Sequence, residues 1–247
     1  MSYEESAEYY DSFDTKCNTE FYLDLARRTR GKVLELGVGT GRVLFEIASL
    51  GRDVVGVDNS VAMLREAKRK RREVYPDVCG RCRLVLADML SLDLGETFGL
   101  VYSASAGVQT GSVDELRGIF RVAADHLDDD GIFAFDVASP RAMRETRAFG
   151  PERQELPGGR VVIRFIAQTY RQSTDTVSYD ILYKEHIPGR TSTMTVKEGG
   201  EAAVITVEAI EDALDYAGLR MQELYGDFER GQYTEESRNI VVTAGRA

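Results

Sequence analysis

The stretch Val33-Leu34-Glu35-Leu36-Gly37-Val38-Gly39-Thr40-Gly41-Arg42 limits what this chain can fold into more than any other. Its apolar residues suit a fully buried parallel strand, and three glycines on alternate positions let the backbone turn sharply and approach a ligand with no Cβ in the way. Val43, Leu44, Ile47, Ala48 and Leu50 then recur at helical spacing. Strand, glycine turn and helix therefore open a βαβ unit. A dinucleotide fingerprint would place its third glycine at Arg42, whereas here it comes one position early and an acid, Glu35, precedes the first. That acid would repel a pyrophosphate, which a helix N-terminus otherwise attracts, and it favours a cationic group such as an α-ammonium or a sulfonium.

Further on, Asp53-Val54-Val55-Gly56-Val57-Asp58-Asn59-Ser60 predicts a second buried strand ending in an acid. Asp58 falls about twenty residues past the first glycine, where a carboxylate accepts from ribose hydroxyls. Ser60 is a natural N-cap for the next helix, and Met63, one turn in, is placed to lie against an adenine face. A third strand runs through Arg83-Leu84-Val85-Leu86 into Asp88 and Met89, and a fourth covers Phe98-Gly99-Leu100-Val101-Tyr102-Ser103.

Acid-x-Gly-x-Gly-x-Gly at the end of a first strand resembles motif I of the class I methyltransferases, which bind S-adenosylmethionine. The resemblance implies that Gly37, Gly39 and Gly41 make room for the methionine portion, that Glu35 and a carbonyl near Ser103 hold its ammonium, and that Arg42 also borders the cofactor. It assigns the ribose to Asp58 with Asn59 beside it, and the adenine to Asp88, Met89 and Met63. The tyrosines and phenylalanines ahead of motif I resemble the lid of small-molecule members such as aminosugar N-methyltransferases. Tyr10 and Phe21 are the lid aromatics expected to close over the cofactor, with packing on the outside of the sheet as the alternative for each ring.

After the fourth strand, Ser103-Ala104-Ser105-Ala106-Gly107-Val108-Gln109 contains neither an Asn-Pro-Pro-Tyr-like tetrad nor a Pro-Cys nucleophile. A small-molecule acceptor follows, an amine ahead of a hydroxyl, with Gln109, Tyr225 and Asp227 as residues that could line its site. No residue declares itself as a general base, and an amine delivered neutral needs none. His186 is expected to be an ordinary surface histidine and His126 a capping or packing one.

The fold expected is α/β: a Rossmann-like, seven-stranded, doubly wound sheet of order 3-2-1-4-5-7-6 with the last strand antiparallel. Residues 1–30 would be a helical lid, 31–150 and 204–247 the cofactor-binding core, and 151–203 an antiparallel β insertion. Within the insertion, Val161-Val162-Ile163-Arg164-Phe165-Ile166 and Val177-Ser178-Tyr179-Asp180-Ile181-Leu182-Tyr183 pair about a turn near Ser173-Thr174-Asp175, and a third strand near Thr193 to Val196 turns back at Gly199-Gly200. Such a sheet is expected to roof the acceptor site or to join two copies in a homodimer. A turn is expected at Asp128-Asp129-Asp130-Gly131.

The formal charge of −10 argues against a nucleic-acid backbone as main substrate. Lys68-Arg69-Lys70-Arg71-Arg72 is the one dense basic run, and at a helix C-terminus it is expected to form a solvated face. A methyltransferase acting on protein or RNA, and a non-catalytic nucleoside-binding scaffold, stand as the alternatives. Cys79-Gly80-Arg81-Cys82 has metal-like spacing, but Cys17, His126 and His186 are far away in sequence, so no metal is expected. With no long apolar run and no leader-like start, the expected location is cytoplasmic.

Overall fold

The computed structural model describes residues 4–13, 18–189 and 193–247. Strands β1 (Val33–Leu36), β2 (Val54–Asp58), β3 (Cys82–Leu86), β4 (Phe98–Ser103), β5 (Leu127–Ala138), β10 (Leu219–Tyr225) and β11 (Asn239–Arg246) form one sheet of order β10-β11-β5-β4-β1-β2-β3. The first five are parallel, and β11 runs antiparallel to both neighbours. This is the expected order, with β10 and β11 as sixth and seventh strands. Every position of β1 and β4 is buried, because helices cover both faces, and hence their sequences are apolar without alternation.

Helices α2 (Thr19–Arg28), α3 (Arg42–Ser49) and α4 (Val61–Glu73) bury Tyr22, Leu44 and Leu64 with Val33 and Leu100 on one face. On the other, α5 (Val113–Asp125) and α7 (Val207–Tyr216) bury Phe120 and Leu214 with Leu34, Val101 and Phe133. The side chain of Ser60 accepts from the Met63 N–H at 3.1 Å, the N-cap its position suggests. His126 closes α5 as a buried packing residue: Nε2 accepts from the Leu94 N–H at 3.0 Å, which leaves Nδ1–H to donate to Val122 O at 2.8 Å.

Beyond β5 and the short α6 (Pro140–Met143), a four-stranded antiparallel sheet runs β6 (Arg147–Leu156), β7 (Arg160–Arg171), β8 (Thr176–His186), β9 (Met194–Ala203) in that order. The β7–β8 hairpin turns where expected, with Arg171 opposite Thr176. Strand β6 is missing from the sequence reading because it is an exposed edge with no apolar alternation to betray it. Strand β9 does not turn back at Gly199-Gly200 but runs straight through it. A Cβ at Gly199 would lie 2.8 Å from Tyr179 O on β8, so the glycine marks a close approach between strands rather than a bend. Nor is there a turn at Asp128-Asp129-Asp130: β5 starts at Leu127, and a register shift against β4 between Phe98 and Leu100 absorbs the acidic residues into the strand. Strand β10 ends at Tyr225.

The first described helix, α1 (Ala7–Phe13), lies between the two sheets. Tyr9 and Phe13 pack with Val162, Ile181, Tyr183 and Val196 on the inner face of the insertion, while Ala7 and Tyr10 pack on Ala62 and Met63 of α4. Among the described residues no helix is long and apolar enough to cross a membrane.

Candidate active site

The loop from β1 to α3 is shaped by its neighbour β2. Backbone N–H groups of Gly37 and Val38 both donate to Val57 O at 2.9 Å, and the Gly41 N–H returns to Val38 O at 2.9 Å. Gly37, Gly39 and Gly41 have φ of 77°, 53° and 78°, the left-handed region in which a side chain is strained. At Gly41 an added Cβ would also come 2.7 Å from Cζ of the fully buried Phe45. Asp58 completes this wall, accepting from the Gly39 N–H at 2.7 Å through Oδ2 and from the Ser60 N–H at 2.8 Å through Oδ1. Burial pushes its carboxyl above the usual range, against the pull of those backbone donors.

Glu35 lies beneath the loop with 3% of its surface exposed, and its Oε2 accepts from the Tyr102 hydroxyl at 2.8 Å. Burial pushes its carboxyl up to about 8, with Tyr102, Arg42 and the Leu44 N–H pulling it down. A buried acid near neutrality is one that a bound cation would recharge. The donor set therefore fits the ammonium of S-adenosylmethionine.

The opposite wall follows β4. Ser103 Oγ donates to Leu36 O at 2.8 Å, and the hydroxyl of Ser105 is reached by Arg42 at 2.6 Å and by Asn18 Nδ2 at 3.0 Å. Arg42 also donates to Thr19 Oγ1 and Asn18 Oδ1, both at 2.8 Å, which fastens the start of α2 across the mouth. Between the walls is a cleft bordered by Tyr10, Glu35, Gly39, Arg42 and Ser105. Its volume is about 40 Å³, whereas small-molecule pockets run to roughly 300–1,000 Å³. Of helix α1, Tyr10 borders this cleft. Asp11 of the same helix accepts from Thr40 Oγ1 at 2.6 Å and pairs with Lys70, which also donates to Thr40 at 3.0 Å. Larger hollows of about 470 and 570 Å³, bordered by Gly31 and Asp128 or by Asp93 and Asp125, lie at the opposite end of the strands, away from the glycine loop.

Of the residues read from sequence, Tyr10, Glu35, Gly37, Gly39 and Arg42 meet at the cleft, with Asp58 bonded to its rim and Ser103 behind it. Asn59 is exposed at the end of β2. Met89 approaches Gly37, its Cε 3.5 Å from where a Cβ would be. Asp88 is exposed and accepts from the Leu90 N–H at 2.9 Å; of the three acids Glu35 alone lines the cleft, with Asp58 bonded to its rim through Gly39. Met63 is buried under α1 against Tyr10. Phe21 is not at the cleft: its ring packs on Tyr225 and Phe228 at 6.3 and 6.2 Å and carries the Arg230 guanidinium at 5.4 Å.

Two acceptor-lining candidates are engaged in the fold itself. Gln109 donates to Ala203 O at 2.9 Å and accepts from the Ala138 N–H at 3.1 Å, bracing the insertion against β5. Asp227 Oδ1 accepts from the N–H groups of Glu229 and Gly231 at 3.0 and 2.7 Å, closing the turn after β10. Tyr225 is half-buried beside Phe21, and His186 is exposed at the end of β8. The basic run is not wholly solvated, since Lys70 turns inward to Asp11 with 14% of its side chain exposed. Cys79 is exposed and Cys82 buried, while Cys17 lies outside the described residues. Sequence reasoning missed Asp11 and Lys70, and also Tyr22 and Asp136, whose buried hydrogen bond of 2.6 Å closes a contact between α2 and β5. Only the acidic end of an apolar strand, Phe135-Asp136-Val137, hinted at the last.

Comparison with known proteins bears on the same residues. Residues 33–131, from β1 to the start of β5, match a methyltransferase domain family. The cypemycin N-terminal methyltransferase of a Streptomyces species is 30% identical over 220 residues, covering 87% of this chain and 82% of that one. Among solved structures, the CcbJ methyltransferase of Streptomyces caelestis superimposes with a TM-score of 0.80 at 24% identity, covering 99% of this chain and 97% of that one. The sugar N-methyltransferase KedS8 of a Streptoalloteichus species gives 0.78 at 22%, covering 97% and 92%. With the glycine loop, the buried acid and the seven-stranded order in place, the chain belongs to the S-adenosylmethionine-dependent methyltransferases.

Proposed function

We propose that the protein methylates an amine on a small molecule. The observation that carries this reading is that none of Gln109, Asp227 and His186 is held ready as a base: Gln109 braces the insertion, Asp227 closes a turn through Oδ1, and His186 is exposed at a sheet end. An amine presented neutral attacks without surrendering a proton first, and a hydroxyl does not. The relative whose name specifies an N-terminal methyltransferase supports an amine. S-adenosylmethionine supplies the electrophilic methyl group when bound. The chain's own task is then to align and desolvate, which contributes up to roughly 7–11 kcal/mol in a well-oriented pair.

In this reading Glu35 and the Ser103 carbonyl hold the ammonium, Arg42 borders the methionine portion, Asp58 and Asn59 take the ribose, and Asp88, Met89 and Met63 surround the adenine. Tyr10 closes the cleft from α1, and Tyr225 faces the acceptor side with the buried Phe21 packed behind it. The insertion acts as a roof, joined to the cleft through α1: Tyr9 donates to Glu185 at 3.1 Å, and Ser6 bonds Glu198. Its outer face leaves Ile163, Phe165 and Leu182 half-buried, which favours pairing with a second copy in a homodimer.

The test is calorimetry with S-adenosylmethionine, followed by labelled cofactor against a panel of amines, phenols and carboxylates. Asp58→Ala is expected to weaken cofactor binding by about 2–4 kcal/mol, from loss of two charge-assisted hydrogen bonds; unchanged affinity removes Asp58 from the ribose site. Turnover confined to phenols would overturn the amine reading. RNA binding that weakens with rising salt would favour the macromolecular alternative.

A further inference from the structure

Two successive residues with side chains, Ser105 and Ala106, stand at φ of 57° and 58° immediately after β4. Left-handed backbone is disfavoured for such residues and persists only where the surroundings impose it. Here the two N–H groups are held by one carboxylate on the neighbouring strand, beside the Gln109 N–H that donates to Ala106 O at 2.9 Å and the contacts of the Ser105 hydroxyl. Asp136 accepts from the Ser105 N–H through Oδ1 and from the Ala106 N–H through Oδ2, both at 2.9 Å, and Oδ1 also accepts from Tyr22 of α2. Asp136 is 5% exposed and Tyr22 is fully buried, so neither can touch an acceptor. The Tyr22 hydroxyl also lies 3.1 Å from Ser103 O. Its one proton goes to the nearer, charged oxygen, and the Ser103 carbonyl keeps its accepting capacity.

We infer that Asp136 and Tyr22 are positioning residues that force the loop after β4 into the strained shape in which it walls the cofactor cleft. Ala104 and Ser105 border that cleft, and Ser105 in turn anchors Arg42 and Asn18. Releasing the two N–H groups lets both residues relax toward ordinary backbone, which withdraws the Ser105 hydroxyl and moves the wall. An asparagine cannot substitute, because one of its two positions is a donor and would face a backbone N–H. The inference rests on the reading of this cleft as the S-adenosylmethionine site.

The experiment is calorimetric titration of the full chain with S-adenosylmethionine and with S-adenosylhomocysteine. Asp136→Asn should weaken both by roughly tenfold or more, the loss expected for a buried charged partner, and Tyr22→Phe by roughly threefold. Equal losses for the two ligands mark positioning, since a purely electrostatic role would weaken the sulfonium far more than its neutral product. Adding Ser105→Gly and Ala106→Gly to Asp136→Asn should recover at least about threefold, because glycine adopts left-handed backbone without strain. If Asp136→Asn does not fold, the same glycines are added to Tyr22→Phe and read in the same way. Affinity unchanged by Asp136→Asn, or no recovery with the glycines, overturns the inference while Asp58→Ala still reports on the cleft. Indifference to both Asp58→Ala and Asp136→Asn overturns the cleft reading, and the inference with it.

Discussion

The two walls of the cleft reach the same backbone conformation by opposite means. On the β1 side, Gly37, Gly39 and Gly41 adopt positive φ with no side chain to resist, and the holding contacts are local: Val57 O, Val38 O and Asp58, all within the first βαβ unit. On the β4 side, Ser105 and Ala106 adopt it against their own sterics and are held from Asp136 and Tyr22, 30 residues and more away. One wall is built from residue type, the other from tertiary contact. The first is therefore sensitive to any side chain added within it, and the second to side chains removed from elsewhere.

The largest effect that follows is on the glycine wall. Gly41→Ala combines a left-handed residue, which costs about 1–2 kcal/mol, with overpacking against Phe45, which costs about 1–3 kcal/mol. Phe45 is fully buried and has nowhere to move. A loss of about 2–5 kcal/mol in denaturant midpoint stability is expected; a loss under about 0.5 kcal/mol would mean the loop can reshape, and the contrast between the walls would fail.

The same contrast explains what could be read from the amino acids. The order of the main sheet, the glycine turn and the positions of Glu35 and Asp58 were legible because each is written in a run of about ten residues with its own period or spacing. The sequence left Phe21 open between covering a cofactor and packing, because nothing local distinguishes the two; in the structure its ring packs on Tyr225 and Phe228. Strand β6 escaped because an exposed edge needs no apolar face, and Gly199-Gly200 misled because close approach and turning demand the same residue. Asp136 reads as one acid at a strand end. Its role exists only once β5 lies beside β4 and α2 crosses above.

Glu35 sharpens the comparison next, since it sits under the legible wall yet owes its state to burial. Its folded value of about 8 lies above the ordinary 4.5. Between those limits the native chain holds a proton that the unfolded chain has lost, so this residue's contribution is full at low pH and declines as pH rises through that window. The slope approaches about 1.4 kcal/mol per pH unit, or roughly 2–3 kcal/mol from pH 5 to 7. Glu35→Gln, which keeps an acceptor for Tyr102, should flatten that part of the stability profile. Binding of S-adenosylmethionine should recharge the acid and release up to about one proton at pH 7; titration in buffers of different ionisation enthalpy measures it. No release from the wild type, or equal release from Glu35→Gln, would separate Glu35 from the ammonium.

The smallest effect concerns α1, which borrows from both designs: it is remote from the glycine loop in sequence but is bonded to it at Thr40 through Asp11. Lys70 and Asp11 meet there, and burial lowers the lysine's affinity for its proton while Asp11 opposes the shift. Asp11 is 39% exposed, so the pair contributes no more than about 1 kcal/mol. Global unfolding breaks the whole core, and its free energy should move little in Lys70→Met. Local opening of α1 leaves the main core intact, and its amide protons should exchange up to about fivefold faster, the equivalent of that 1 kcal/mol. Lys68→Met is the control, in the same basic run but exposed, and should leave α1 exchange unchanged. If both variants speed exchange equally, the effect belongs to the charge of the run, and the inward turn of Lys70 does not latch α1.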